Sequence, residues 1–250
     1  MIRWTKVLIA CLIVFSPAAW AASGDVHLDK ANVNINDRLS LQRGAKYFVN
    51  YCLSCHSAAF MRYNRMGRDL GLSDDDVAAN LIFTSAKVGD LMTVTMRPDD
   101  SREWLLAPAP DLSVVARARG VDWLYTYLRS FYVDESRPFG VNNVVFENVS
   151  MPHVLWELQG WQTLRHEEQQ HSEEGGHDAH AGPTLELTRP GKLAPKEYDR
   201  LVRDLVNFLA YLAEPAQLQR QKLGFWVLLF LVFLFVLTYL MKKEYWKDVH

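Results

Sequence analysis

Apolar residues recur at three- and four-residue intervals in three stretches of the chain. Leu41, Ala45, Phe48, Val49 and Cys52 predict a helix capped by Asn36 or Asp37, preceded by a polar, extended lead-in over residues 26–36. Val121, Leu124, Leu128, Phe131 and Tyr132 predict a second apolar helical face, with Asp122 as its cap. Tyr198, Leu201, Val202, Leu205, Val206, Leu209 and Leu212 form the strongest stripe outside the terminal apolar runs. Pro195 opens that helix and Pro215 interrupts it. Gly44 lies on or beside the apolar face of the first helix. A glycine there costs about 1 kcal/mol relative to alanine, which a close crossing by another helix would justify; the 195 helix is the natural partner.

Shorter signals punctuate the rest. Ser73 and Asp76 read as a capping box, with Leu72 and Val77 as its staple. Pro98, Pro108 and Pro110 bracket a loop-rich section, in which Pro110 and Asp111 start a short helix that Gly120 closes. Residues 134–140 form a turn-rich break. Met151 precedes Pro152 and is therefore expected on an extended loop. Residues 223–241 contain no charged side chain and are long enough to cross a bilayer core. Trp226, Tyr239, Tyr245 and Trp246 are placed like interfacial aromatics.

The amino terminus has Arg3 and Lys6, an apolar run over 7–15 and the small-x-small triplet Ala19-Trp20-Ala21. This is the pattern of a secretory signal peptide over 1–21; a retained membrane anchor is the rival. The expected organisation is a leader (1–21), an exported domain (22–214), and an anchor with a short cytoplasmic tail (215–250). The leader fixes the orientation, leaving His250 in the cytoplasm. Within the exported domain, residues 166–183 carry His166, His171, His177 and His180 among Glu, Gln and Gly. Their spacing fits no closed tetrahedral site, and the composition suits a flexible loop.

Composition excludes little beyond the extremes. The 250 residues are 49% hydrophobic and 22% charged with a formal net charge of −2, which excludes global disorder and gives no footprint for nucleic acid. Loss of residues 1–21 would remove two basic residues and no acid. Of the three cysteines, Cys11 is in the leader, so no pair is left over for a structural disulfide.

The remaining two carry the chemistry. Cys52-Leu53-Ser54-Cys55-His56 is the attachment signal for a c-type haem: two sulfurs three residues apart for two thioethers, and an adjacent imidazole for the iron. The rival is a redox-active dithiol, but such a motif should follow a strand in a βαβ setting, and here helix precedes it. Met151 on its stiff loop can reach the far face of the iron, with Met61, Met66, Met92 and Met96 as competing sulfurs and His153 as an alternative. Arg62, Arg65 and Arg68 could meet haem propionates or form a solvated basic face.

The order of Cys52-Leu53-Ser54-Cys55-His56-Ser57, Gly89-Asp90-Leu91-Met92, Ala109-Pro110-Asp111-Leu112-Ser113 with Ala116-Arg117-Ala118-Arg119-Gly120, then Met151-Pro152 and one terminal span resembles the cytochrome c1 family, the haem subunits of bacterial bc1 complexes. The His-rich segment departs from that pattern. The resemblance implies a mainly α c-type cytochrome haem domain with long loop insertions plus one carboxy-terminal transmembrane helix. It implies one covalent haem c held by Cys52 and Cys55, with His56 and Met151 as axial ligands. Arg119 would pair with a propionate, with Arg117 a weaker candidate, and Pro110 would pack on the haem near His56.

The implied function is electron transfer, with no substrate bond made or broken in this chain and so no catalytic residue. Electrons would come from the Rieske iron–sulfur subunit and leave to a soluble or membrane-bound cytochrome c. Cytochrome b is the further partner, in a dimeric quinol–cytochrome c reductase at the bacterial inner membrane, with the haem domain on the periplasmic side. The alternatives are a free-standing, membrane-anchored cytochrome c shuttle, for example to a terminal oxidase, a haem enzyme with an open iron, and a haem-free dithiol protein.

Overall fold

A computed structural model describes residues 26–84, 86–94, 96–165 and 184–247; the expected leader and the His-rich segment lie outside them. In chain order the elements are α1 (Arg38–Tyr47), β1 (Ala58–Arg62), α2 (Tyr63–Leu70), α3 (Asp74–Leu81), β2 (Leu91–Met92), α4 (Pro98–Leu105), α5 (Val115–Arg119), α6 (Val121–Arg129), β3 (Phe131–Val133), β4 (Val141–Asn143), α7 (Trp156–Gln159), β5 (Gly160–Arg165), β6 (Thr184–Pro190), α8 (Pro195–Ala213) and α9 (Gln217–Tyr245). The strands form three separate two-stranded antiparallel pairs, β1 with β2, β3 with β4 and β5 with β6. Helices therefore build the core, as expected for the mainly α class, and the strand pairs trim its edges.

The organising contact is α1 across α8. Asp37 caps α1 by accepting from the Ser40 amide at 3.0 Å, and α1 buries Leu41, Gly44 and Ala45. A Cβ on Gly44 would lie inside contact distance of the Asp204 carbonyl oxygen and the Phe208 Cβ, so the glycine marks a true backbone-to-backbone approach. Polar groups seal the same crossing. Ser40 Oγ donates to Asp204 Oδ1 at 2.6 Å and Arg43 Nε donates to Asp204 Oδ2 at 2.5 Å. Asn207 Nδ2 donates to Ser40 Oγ at 3.0 Å. The buried Asp204 carboxylate is thus paired, the condition under which a charge is tolerated in a core.

Gly44→Ala is expected to destabilise the protein. Alanine would gain about 1 kcal/mol of helix propensity, but the atom it meets is backbone and cannot turn aside, and overpacking costs about 1–3 kcal/mol or more. A lower denaturant midpoint than wild type is the expected reading; an unchanged midpoint would mean that the two helices separate freely.

Past Tyr47 the helix widens. Phe48–Cys52 forms a π-helical turn, closed by the Leu53 amide donating to the Phe48 carbonyl at 3.0 Å. Phe48 and Val49 stay buried, with the Phe48 ring 5.5 Å from that of Phe208, and the chain then leaves the helix at the cysteine motif.

Some local expectations need correction. Asp122 is not a cap but sits in the first turn of α6, where it accepts from the Ala31 amide at 2.9 Å and pairs with Lys30 at 2.8 Å, pinning the lead-in against this helix. The apolar face predicted to include Phe131 and Tyr132 ends at Arg129, and those two residues continue as β3. The loop-rich section contains α4, opened by Pro98 with Asp99 and Asp100 in its first turn, an arrangement that suits the helix dipole. The Ser73–Asp76 capping box is formed as expected.

α9 spans 29 residues, about 43 Å at ~1.5 Å per residue, against ~30 Å of hydrocarbon core. It is long and apolar enough to cross a membrane over Gln219–Tyr245, with none of its apolar window buried against the rest of the chain. It contains the expected span and exceeds it at both ends.

Candidate cofactor site

The cysteine motif is a hydrogen-bonded turn. The amides of Cys55 and His56 both donate to the Cys52 carbonyl, at 3.1 and 2.8 Å, which brings both sulfurs and the imidazole to one cavity wall. His56 Nδ1 lies 2.8 Å from the Pro110 carbonyl oxygen. That carbonyl can only accept, so Nδ1 carries the proton and Nε2 keeps the free lone pair a metal needs. Burial lowers the His56 pKa, favouring the neutral form.

The Pro110–Ser113 segment is laced to the chain that follows the motif. Asp111 Oδ2 accepts from the Ala59 amide at 2.9 Å and Oδ1 from the Ser113 amide at 2.7 Å. Ser113 Oγ accepts from the Phe60 amide at 3.0 Å, and the Leu112 amide donates to the Ser57 carbonyl at 2.8 Å. Asp111 therefore clamps a strand rather than starting a helix; α5 begins only at Val115, where no side chain caps it. The clamp fixes the Pro110 carbonyl in front of His56.

Met151 stands on the loop between β4 and α7 and lines the same cavity. Two buried asparagines hold that loop. Asn143 Oδ1 accepts from the amides of Val145 and Phe146 at 2.9 and 3.2 Å, and Asn142 Oδ1 from that of Asn148 at 2.9 Å. Arg137 adds two 3.0 Å hydrogen bonds to Asn148, through its side-chain and backbone oxygens. The Tyr127 hydroxyl donates to Met151 Sδ at 3.3 Å. None of these supports was legible in the sequence, although Trp123 and Tyr127, one turn apart on α6, share the face that reaches the cavity.

The cavity measures about 510 Å³, within the ~300–1,000 Å³ common for small-molecule sites. Its walls are largely aliphatic and aromatic, with Leu105, Leu112, Leu124, Leu128, Leu205 and Leu209 among them. Among the described residues, Arg119 is the only charged side chain in the lining. The Arg119 guanidinium lies 5.1 Å from the Trp123 ring and 5.8 Å from that of Phe146, with no acidic partner among the described residues. An apolar slot with one unneutralised cation, an imidazole, a thioether and two free thiols fits a flat apolar macrocycle bearing carboxylates and a metal. A haem with its propionates has that chemistry, and these residues fit it.

The competing donors lie elsewhere. Met61, Met66 and Met92 are buried in the core, and neither they nor Met96 line the cavity. His153 is buried with its ring stacked 5.0 Å from that of Phe131 and edge-on to Trp161. Burial pushes its pKa down to about 4, so it is a neutral core side chain outside the cavity lining. Arg62 donates to the Gly89 carbonyl, Arg65 pairs with Asp69, and Arg117 lies near Glu214, whose carboxyl pKa it helps to lower. None of the three lines the cavity. Burial raises the Cys52 thiol to about 12, opposite to the depressed pKa of a reactive dithiol. Among the described residues no three His, Cys, Asp or Glu side chains gather to hold a bare metal ion.

Comparison with known proteins agrees with this chemistry. The Cytochrome C1 family model matches residues 191–249. The chain is 51% identical over 249 residues to cytochrome c1 of Allochromatium vinosum, covering 98% of this chain and 99% of that protein. It is 50% identical over 248 residues to a Nitrosomonas europaea protein called ammonia monooxygenase gamma subunit, covering 99% and 100% of the two chains. Cytochrome c1 of Cereibacter sphaeroides is 25% identical over 288 residues, covering 100% of this chain and 97% of that one.

Proposed function

The chain belongs to the cytochrome c1 family, the haem subunits of bc1 complexes, and from that premise we propose that it relays electrons from a Rieske iron–sulfur centre through one covalent haem c to a cytochrome c. The observation that carries this reading is the cavity with His56, Met151, Cys52 and Cys55 in its walls and Arg119 as its only charged side chain among the described residues. The bound haem supplies an iron that cycles between ferrous and ferric states. Cys52 and Cys55 would tether the macrocycle, and His56 and Met151 would ligate its iron. Pro110 orients His56, and Arg119 would neutralise a propionate. The leucine walls exclude water, which limits reorganisation during electron transfer.

In this reading residues 1–21 are a removed leader, α9 anchors the chain, and the haem domain faces the periplasm of a bacterial inner membrane. A closed iron activates no substrate, so quinol oxidation falls to the neighbouring subunits of a dimeric complex. The name of the Nitrosomonas europaea relative associates that protein with a different enzyme; a relay subunit there and here would share the same closed iron, and the partners distinguish the two roles.

The test is to solubilise membranes in mild detergent and isolate the chain through a carboxy-terminal tag. Cytochrome b and a Rieske protein should co-purify, and the preparation should reduce cytochrome c with quinol. A chain recovered alone would favour the free shuttle, and one recovered with oxygenase subunits would favour the other assembly.

A further inference from the structure

We infer that Tyr127 raises the reduction potential of the bound haem by hydrogen-bonding the sulfur of Met151. The inference rests on the reading of Met151 as the sixth ligand and goes beyond it, because it assigns a role to a side chain that does not itself touch the iron.

The Tyr127 hydroxyl is buried on the cavity face of α6, and its hydrogen bond to Met151 Sδ, at 3.3 Å, is the only one it makes among the described residues. The ring cannot easily turn away. It is stacked on Trp123 at 4.9 Å and 9° and meets the edge of Phe131 at 5.2 Å and 67°. The stack continues outward to Arg119, whose guanidinium lies over Trp123 at 5.1 Å. One short stretch of chain thus places the cation for a propionate and the donor for the thioether on the same side of the cavity.

A thioether sulfur has two lone pairs, so it can bind iron with one and accept the hydroxyl proton with the other. The hydrogen bond withdraws electron density and leaves the sulfur a weaker donor to the metal. Ferric iron carries the larger charge and depends more on that donation, so it is the oxidised state that loses most. The reduced state is favoured and the potential rises. Hydrogen bonding around axial ligands is one of the levers by which a protein tunes a haem.

The experiment is a spectroscopic redox titration of the full chain in detergent, wild type against Tyr127→Phe, which removes the hydroxyl and keeps the ring stack. In the variant the thioether–iron charge-transfer band should persist at a shifted wavelength. At a fixed ambient potential the ferrous-to-ferric ratio should fall about threefold, equivalent to ~28 mV at 59 mV per decade for one electron. A midpoint that is unchanged or raised overturns the inference. Met151→Ala, measured alongside, separates the two levels. If that variant keeps the band, the ligand reading fails. If it loses the band while Tyr127→Phe matches wild type, only the hydrogen bond fails.

Discussion

Met151→Ala is expected to abolish the thioether–iron charge-transfer band, open the iron to carbon monoxide and lower the reduction potential by a few tenths of a volt. Among the described residues, Met151 carries the only thioether in the lining; its neighbours there include Phe146, Asn148, Val149, Ser150, Pro152 and Val154, and the Tyr127 hydroxyl donates to its sulfur. None of these carries a thioether or an imidazole, and burial raises the Tyr127 pKa, keeping the phenol protonated. His153, two residues on, is packed between Phe131 and Trp161 and cannot swing in without unmaking that cluster. Truncation therefore leaves the sixth position to water or an added ligand. Thioether ligation favours ferrous iron, and axial-ligand identity spans about 0.8 V across haem proteins. The fold should survive, because Met151 is only partly buried and the loop is held by Asn142 and Asn143 rather than by the methionine. An unchanged circular dichroism spectrum checks this.

The second large effect is on attachment. Cys52→Ser combined with Cys55→Ser is expected to abolish covalent haem, so that acid–acetone extraction removes all colour from the denatured chain. In wild type the colour should stay with the protein. The turn itself should persist, because its two hydrogen bonds run between backbone atoms, from the Cys55 and His56 amides to the Cys52 carbonyl. His56 and Met151 remain in place, so any haem taken up by the double variant would be held by coordination alone. Either single serine variant keeps one thioether and should retain part of the colour. A haem-free dithiol protein would give no retained colour even in wild type.

Much of this was readable from residue order, for identifiable reasons. The α1 and α8 helices carry long periodic stripes, and Gly44 on the first of them announced the close crossing. A c-type haem motif has to offer two sulfurs and an imidazole to a single ligand, so its spacing is constrained enough to be seen alone. Residues whose role depends on distant partners were not readable. Asp111 looks like a helix cap because aspartate before a helical stretch usually is one, yet its carboxylate is taken by the amides of Ala59 and Ser113. Asp122 looks like a cap for the same reason, yet its partners are Lys30 and Ala31, some ninety residues away. The strand pairs are two to seven residues long, too short for alternation to stand out. Tyr127 carries no signal at all, since a tyrosine on an apolar helix face is ordinary core. Its role emerges only when α6 and the Met151 loop meet.

The central claim is an iron closed on both sides, with His56 on one face and Met151 on the other. Carbon monoxide tests it most directly, added to the dithionite-reduced, full-length protein in mild detergent with Met151→Ala beside it. The account predicts an unchanged spectrum for wild type and a prompt ligand-induced shift for the variant. A wild-type shift as fast as that of the variant would contradict it, because an iron that accepts carbon monoxide freely has no methionine on its second face.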